Sequence, residues 1–113
     1  FVAEGPGANF FFEKDEVLYT PKLGNILPGI TRQTIFELAD EMGIEVRERQ
    51  FKIEDVYEAD GAFFTGTAAE VAGIESLDGK NFGLQWSDTI GYELSRAYNN
   101  REQKKEYKNF ELV

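Results

Sequence analysis

The sequence predicts a single domain of the α/β or α+β class built around a mixed β-sheet. Strand-like and helix-like patterns are mixed along the chain in the order β-β-α-β-α-β-β-α, with no internal repeat and no low-complexity linker. The length of 113 residues lies within the range of one domain. Hydrophobic residues make up 42% of the chain and aromatic residues 14%, which is ample for a packed core.

The first half of the chain predicts a β-hairpin, a helix and a further strand. The segments "NFFFEK" and "VLYT" are separated by two acidic residues, which suits a hairpin over 9–14 and 17–20. Apolar residues then recur at helical spacing, and Gly43 stands where a left-handed helix stop belongs. Alternating apolar and charged residues predict the next strand at 44–47. The apolar positions of the helix are Ile35, Leu38 and Met42.

The second half predicts a short helix, two strands and a final helix. "IEDVYEAD" is typical of a short helix over 53–58, while "AFFTG" and "VAGIESL" each predict a strand, the second followed by the turn dipeptide "DG". Ser87 or Asp88 is expected to cap the last helix. The segment 99–108 is nearly all polar and predicts a solvated extension. The apolar face of the last helix carries Ile90, Leu94, Ala97 and Tyr98.

The composition excludes several kinds of partner and chemistry. The formal net charge of −9, with no block of Lys or Arg, argues against nucleic-acid backbones and anionic membranes as partners. The chain has neither Cys nor His, which removes disulfides, thiol chemistry, imidazole bases and His metal ligands, and we expect no metal site. No apolar run is long enough to span a bilayer.

Three loops place small, acidic or hydroxyl residues where a ligand could bind. "EGPGAN" has Glu4 at a predicted strand end, "LPGIT" opens the first helix with free N–H groups near Thr31, and "FFTGTAAE" runs a strand into small residues at Gly66. Helix N-termini and glycine-rich backbone bind phosphate. Taken singly, each loop has an ordinary explanation that is as good or better. The first can be a surface acid beside a turn, the second ordinary helix initiation, and the third a crowded sheet edge. Together they suit a phosphorylated cofactor with a positively charged ring.

Three longer segments of residues 3–80 carry a family resemblance, namely "EGPGANFF", "LPGITRQTIFELADEMGIEVRER" and "YEADGAFFTGTAAEVAGIESLDGK". In order and spacing they resemble the fold-type IV pyridoxal-phosphate enzymes, and among them the branched-chain amino-acid aminotransferases. The "GTAAEV" form favours the branched-chain enzymes over D-amino-acid aminotransferases and aminodeoxychorismate lyases. The resemblance implies an α/β fold with a mixed, pseudo-barrel-like sheet and pyridoxal 5'-phosphate as cofactor.

The resemblance implies that two of the loops bind the cofactor phosphate. The amides of Ile30 and Thr31, together with the Thr31 hydroxyl, would contact the phosphate at the start of the first helix. Thr67 would add its hydroxyl and amide, and Gly66 would let the backbone approach closely. Small side chains are needed there because the backbone itself is the donor.

The same resemblance implies contacts to the cofactor ring and to the substrate. Glu4 would pair with the pyridine nitrogen and keep it protonated, so that the ring can act as an electron sink. The amide of Ala68, with that of Thr67, would bind the α-carboxylate of the substrate. The implied site therefore consists of backbone amides, two threonine hydroxyls and one carboxylate.

The resemblance further implies that residues 1–113 are the C-terminal cofactor-binding part of a longer protein. The Schiff-base lysine of the family lies upstream of the position of Glu4, and no lysine of this chain matches its motif. We therefore expect no catalytic residue in this chain and an inactive isolated fragment. The expected partners are the missing N-terminal small domain, an amino acid and a 2-oxo acid, and further copies in a cytoplasmic homo-oligomer.

The sequence thus predicts part of a transaminase that exchanges the amino group between branched-chain L-amino acids and 2-oxoglutarate. One alternative is an aminodeoxychorismate lyase or a D-amino-acid aminotransferase on the same scaffold. The other is a non-enzymatic domain that binds an anion or a protein partner. Residues after Asn99 match no part of the family pattern, and their role is left open.

Overall fold

The computed structural model describes residues 8–22, 29–66 and 70–111, which form seven strands and three helices. The strands are Ala8–Lys14 (β1), Val17–Thr20 (β2), Glu45–Glu48 (β3), Gly61–Gly66 (β4), Glu70–Ile74 (β5), Ser76–Leu77 (β6) and Lys80–Asn81 (β7). The helices are Ile30–Glu41 (α1), Ile53–Tyr57 (α2) and Ile90–Glu111 (α3), and a 3-10 turn covers Trp86–Asp88.

Five of these strands form a mixed sheet with β1 at its centre. The order across the sheet is β3-β2-β1-β4-β5, and within the described residues only β2 and β3 run parallel to each other. A parallel pair needs a crossover connection rather than a tight turn. The helix α1 is the crossover between β2 and β3. The predicted mixed sheet and the α/β class are therefore confirmed.

Three consecutive phenylalanines of β1 are buried because both faces of the sheet are covered. Phe11 lies on the face covered by α1 and α3, where its ring stacks on Phe63 with 5.0 Å between centroids. Phe10 and Phe12 lie on the opposite face against Phe51. Side chains of a strand alternate between faces, so an unbroken apolar run suits a strand that is covered on both sides. The core on the helical face consists of Phe11, Leu18, Ile35, Leu38, Ala39, Phe63 and Leu94.

The helix α1 ends where the sequence predicts. Gly43 has a φ of +72°, and the N–H of Ile44 donates back into the last turn at 2.8 Å. This left-handed stop satisfies a carbonyl that the helix leaves without a partner. Of the predicted apolar face, Ile35 and Leu38 are buried, while Met42 at the C-cap is 42% exposed.

The prediction of one continuous strand over "VAGIESL" is wrong. The strand β5 ends at Ile74, and β6 pairs with β7 in a separate two-stranded sheet. Asp78 and Gly79 have φ values of 51° and 78°, which is typical of the tight turn in a two-residue hairpin. The predicted turn dipeptide therefore closes a small hairpin of its own, and the element order contains two more short strands than predicted.

The predicted cap of α3 is also wrong. Ser87 and Asp88 lie in the 3-10 turn, and Thr89 caps the helix by accepting a first-turn N–H at 3.1 Å on its hydroxyl. A second acceptor comes from the sheet, because the carboxylate of Glu13 accepts the N–H of Ile90 at 2.7 Å. Thr89 is the residue that directly precedes α3, which is the position from which a hydroxyl reaches the first turn.

The helix α3 continues to Glu111 through the polar segment predicted as an extension. That segment is rich in Glu, Lys, Gln and Arg, which are good helix formers. Nη1 of Arg101 lies 3.6 Å from Oε2 of Glu37 of α1, and Arg101 also pairs with Glu41. These ion pairs connect α3 to α1. The predicted apolar face of α3 packs on the core, as expected. Within the described residues, no helix combines the length and apolarity needed to cross a membrane.

Candidate functional site

The strand residues that flank two of the three loops singled out in the sequence lie side by side in the sheet. In the ladder between β1 and β4, Ala8 pairs with Gly66, and Gly66 pairs in turn with Glu70 of β5. Ala8 and Gly66 therefore lie at the same end of the sheet.

The N-terminus of α1 lies at the same end of the sheet. Gly29 directly precedes the helix, and a Cβ atom at that position would lie 2.9 Å from Oδ1 of Asn9. Real Cβ atoms essentially never come so close, so a side chain at position 29 would force either the amide of Asn9 or the helix α1 to shift. Asn9 follows Ala8 and pairs with Thr65 of β4. The residues that flank all three loops are therefore neighbours.

The first turn of α1 presents backbone N–H donors without a capping side chain. Gly29 has no side chain that could accept them, and the turn contains no acidic residue. The first bond within the helix runs from the N–H of Gln33 to the carbonyl of Gly29 at 3.1 Å, so earlier N–H groups have no partner inside the helix. Ile30 is 84% exposed and Thr31 is buried. Such an uncapped N-terminus attracts anions.

A buried hydroxyl lies directly before Gly66. Thr65 is 0% exposed, and its Oγ1 has no hydrogen-bond partner among the described residues. By contrast, the equally buried Oγ1 of Thr20 donates to the carbonyl of Phe10 at 2.7 Å. A buried polar group without a partner costs about 1–3 kcal/mol. The hydroxyl of Thr65 is thus a polar group at this end of the sheet that a bound ligand or water could satisfy.

The buried carboxyl of Glu13 lies at the other end of β1 and serves another purpose. Burial raises its pKa above the ordinary value of 4.5, and the negative charges of Asp60, Glu93 and Glu16 raise it further, while the bond from the N–H of Ile90 opposes this shift. That bond caps α3. The shifted pKa of Glu13 therefore marks a structural cap and not the candidate site.

Three of the six predicted site residues lie in the described part of the chain. Ile30 and Thr31 form the first turn of α1, and Gly66 ends β4. The structure brings these two segments to the same end of the sheet. The other three predicted residues, Glu4, Thr67 and Ala68, lie outside the described residues.

Sequence reasoning missed three polar residues at this end of the sheet, namely Asn9, Arg32 and Thr65. The signal for Thr65 is a hydroxyl inside the apolar strand pattern "AFFTG". The signal for Arg32 is a basic residue in the first turn of a helix, where the helix dipole disfavours it. The described residues contain no group of three His, Cys, Asp or Glu side chains that could hold a metal ion.

Comparison with known proteins identifies relatives of the chain. The family described as amino-transferase class IV matches residues 1–77. A branched-chain-amino-acid aminotransferase of Pseudomonas aeruginosa is 47% identical over 98 residues, which cover 87% of this chain and 32% of the relative. The branched-chain-amino-acid aminotransferase of Escherichia coli strain K12 is 49% identical over 99 residues, with the same two coverages.

Solved structures show the same fold over this part of their chains. The crystal structure of the Escherichia coli branched-chain amino acid aminotransferase matches with a TM-score of 0.78 and 41% identity, covering 87% of this chain and 33% of that one. A branched-chain amino acid aminotransferase from T.th., complexed with N-(5'-phosphopyridoxyl)-L-glutamate, matches with a TM-score of 0.77 and 35% identity over 86% of this chain and 33% of that one. The present chain therefore spans about a third of the length of these relatives.

Proposed function

Because this chain belongs to the class IV aminotransferase family, we propose that the full-length protein exchanges an amino group between branched-chain L-amino acids and 2-oxoglutarate. The cofactor in this proposal is pyridoxal 5'-phosphate. Relatives that are 47% and 49% identical are branched-chain-amino-acid aminotransferases, and one solved neighbour carries a phosphopyridoxyl ligand. One structural observation carries the proposal. Ala8, Gly66 and Gly29, which flank the three loops, lie close together at the uncapped N-terminus of α1.

The described residues at this place fit a phosphate group. The turn has N–H donors with no partner inside the helix and has no acidic residue, and the hydroxyl of Thr65 nearby has no partner among the described residues. In our proposal the amides of Ile30 and Thr31, with the Thr31 hydroxyl, bind the phosphate. Thr67 and the backbone at Gly66 complete the set of donors. Charge-assisted hydrogen bonds of this kind are about twice as strong as neutral ones.

The proposed roles of the remaining residues concern the ring and the substrate. Glu4 holds the proton on the pyridine nitrogen, and the amides of Thr67 and Ala68 bind and orient the substrate α-carboxylate. When bound, the cofactor supplies the electron sink for the carbanion formed at the substrate α-carbon. The residues of this chain thus hold and orient the reactants, and the catalytic lysine comes from elsewhere in the protein.

We propose that residues 1–113 are a cofactor-binding part of the C-terminal domain. The N-terminal small domain and the Schiff-base lysine would then be supplied by residues outside this chain. The support for this arrangement is that the chain spans about a third of its relatives. The homo-oligomer and the cytoplasmic location expected from the family resemblance stay predictions.

The test is an assay of glutamate formation by the purified full-length protein. We expect leucine, isoleucine or valine together with 2-oxoglutarate to yield glutamate in a reaction that requires pyridoxal 5'-phosphate. Activity with D-amino acids instead, or pyruvate release from aminodeoxychorismate, would assign the protein to another member of the scaffold. A full-length protein that binds no cofactor would contradict the enzymatic proposal altogether.

A further inference from the structure

Arg32 joins the first turn of α1 to the ends of two neighbouring strands. Its Nη2 donates to the carbonyl oxygen of Pro21 and to Oε2 of Glu48, each at 3.2 Å. Pro21 directly follows β2, and Glu48 ends β3 beside it. The Cζ atom of Arg32 also lies 4.7 Å from the ring centre of Phe36, one turn further along α1. The guanidinium is therefore held by both strand ends and by its own helix.

This placement is unfavourable for a basic side chain in two respects. The side chain of Arg32 is 5% exposed while that of Glu48 is 49% exposed, so the cation is desolvated and its counter-charge is screened by water. The positive charge also stands in the first turn of a helix, where the dipole disfavours it. In addition, the Nε of Arg32 is buried without a hydrogen-bond partner among the described residues. A long apolar side chain would fill the same space without these costs.

We propose that Arg32 is a positioning residue for phosphate binding. By holding the first turn of α1 to Pro21 and Glu48, it determines where the N–H groups of Ile30 and Thr31 point. This inference rests on the proposed function, because it requires a phosphorylated ligand at that turn. Hydrogen bonds weaken steeply when donor geometry is lost, so a turn displaced by about an ångström would no longer hold the phosphate well.

The contacts of Arg32 complement the close packing at Gly29. The absence of a side chain at position 29 lets α1 approach β1. Arg32 reaches the other side, toward β2 and β3, and restrains the same turn there. Two restraints on opposite sides of one turn leave it little freedom to shift. Pre-organised donors of this kind bind a ligand without a cost of rearrangement.

The experiment compares two ligands that differ only in the phosphate. Apo full-length protein is titrated with pyridoxal 5'-phosphate and with pyridoxal, and thermal melts report folding. The variants are Arg32→Met, which removes both hydrogen bonds, and Arg32→Lys, which keeps the charge but lacks the planar fork. The matched control is Arg47→Met. Arg47 lies on β3, its side chain is 41% exposed and it pairs with Glu45, so this variant removes the same charge at a position away from the turn.

We expect Arg32→Met to lower the affinity for pyridoxal 5'-phosphate about ten- to a hundredfold while changing the affinity for pyridoxal by less than about twofold. Arg32→Lys should show an intermediate loss with the same selectivity for the phosphorylated ligand. Arg47→Met should bind both ligands like the wild type. A merely structural role of Arg32 would lower both affinities together, so the ratio of the two affinities is the decisive quantity.

Three results would overturn the inference. They are unchanged affinity in a folded Arg32→Met protein, an equal loss for both ligands, and an equal loss in Arg47→Met. If Arg32→Met does not fold, Arg32→Lys and Glu48→Ala provide the test. Each should lose affinity for pyridoxal 5'-phosphate but not for pyridoxal, by about two- to fivefold for Glu48→Ala. An unchanged ratio of the two affinities in both variants refutes the proposal. A wild-type protein that binds neither ligand refutes the proposed function itself, which separates the two failures.

Discussion

Replacing Gly29 by alanine tests whether the close approach of α1 to β1 builds the phosphate site. The added Cβ would lie 2.9 Å from Oδ1 of Asn9, about half an ångström inside the 3.4 Å at which ordinary contact begins. Asn9 is 9% exposed, so its amide has little room to swing away. The φ of −72° at residue 29 suits alanine, so backbone strain does not contribute and the effect is steric.

The expected magnitude follows from this overlap. Forcing one extra carbon into a well-packed place costs about 1–3 kcal/mol. If the whole cost appeared in binding, the affinity for pyridoxal 5'-phosphate would fall by about five- to 150-fold. Part of the cost can instead appear as a lower melting temperature, because the first turn can move away from β1 in the apo protein as well. We therefore expect Gly29→Ala to lose affinity by less than this full range, and at most about 150-fold, together with a lower melting temperature.

The assay is a titration of apo full-length protein with pyridoxal 5'-phosphate, accompanied by thermal melts. A double-mutant cycle with Asn9→Ala identifies the cause, since Gly29→Ala should cost less once the amide of Asn9 is gone. The matched control is Gly83→Ala, where a Cβ would lie 3.4 Å from Oδ1 of Asp60 in ordinary contact. Wild-type affinity in Gly29→Ala, or an equal loss in Gly83→Ala, would refute the reasoning.

Three further predictions concern single residues. Glu4→Gln in the full-length protein should lower turnover by about two to four decades with the cofactor still bound, because a neutral amide cannot keep the ring nitrogen protonated. Wild-type turnover of this variant in steady-state kinetics would mean that Glu4 is a surface acid. Thr67→Val removes only the hydroxyl, so affinity for pyridoxal 5'-phosphate should fall about ten- to a hundredfold with an unchanged melt; unchanged affinity in a titration would remove Thr67 from the site. Glu13→Gln keeps an acceptor for the N–H of Ile90 but removes the charge. Because the fold raises the pKa of Glu13, its ionised form costs stability, so the variant should melt above the wild type near neutral pH. That difference should shrink as the pH falls toward the ordinary value of 4.5, and melts that show a constant difference would contradict the assignment.

Local patterns in the sequence determined the type and position of most elements. The hairpin of β1 and β2, the helix α1 and its stop at Gly43 were predictable and are confirmed. The family was predictable as well, because three motifs stand in its order and spacing, and the match over residues 1–77 confirms it. The structural elements among these properties depend on residues a few positions apart, through the period of a helix or the dihedral angles of a turn, while the family follows from the order of motifs along the chain.

The two wrong predictions show that local patterns do not always determine the boundaries of an element. A hydroxyl at position 87 and an acid at position 88 are both suitable caps, but the chain makes a 3-10 turn first and leaves the cap to Thr89. The apolar residues of 71–77 suit one strand, yet β5 stops at Ile74 and the "DG" turn closes a second small sheet. In both cases a neighbouring turn, and not the local pattern, decided the boundary.

Only the tertiary structure decided which residues meet at the candidate site. The pairing of Ala8 with Gly66 follows from the register of β1 and β4, and it brings two distant loops to one end of the sheet. The contacts of Arg32 follow from the way α1 crosses over to β3, and Glu13 caps α3 from 77 residues away. Strand register and helix packing are settled by the burial of the whole core at once. A pattern read over a few neighbouring residues therefore does not determine them.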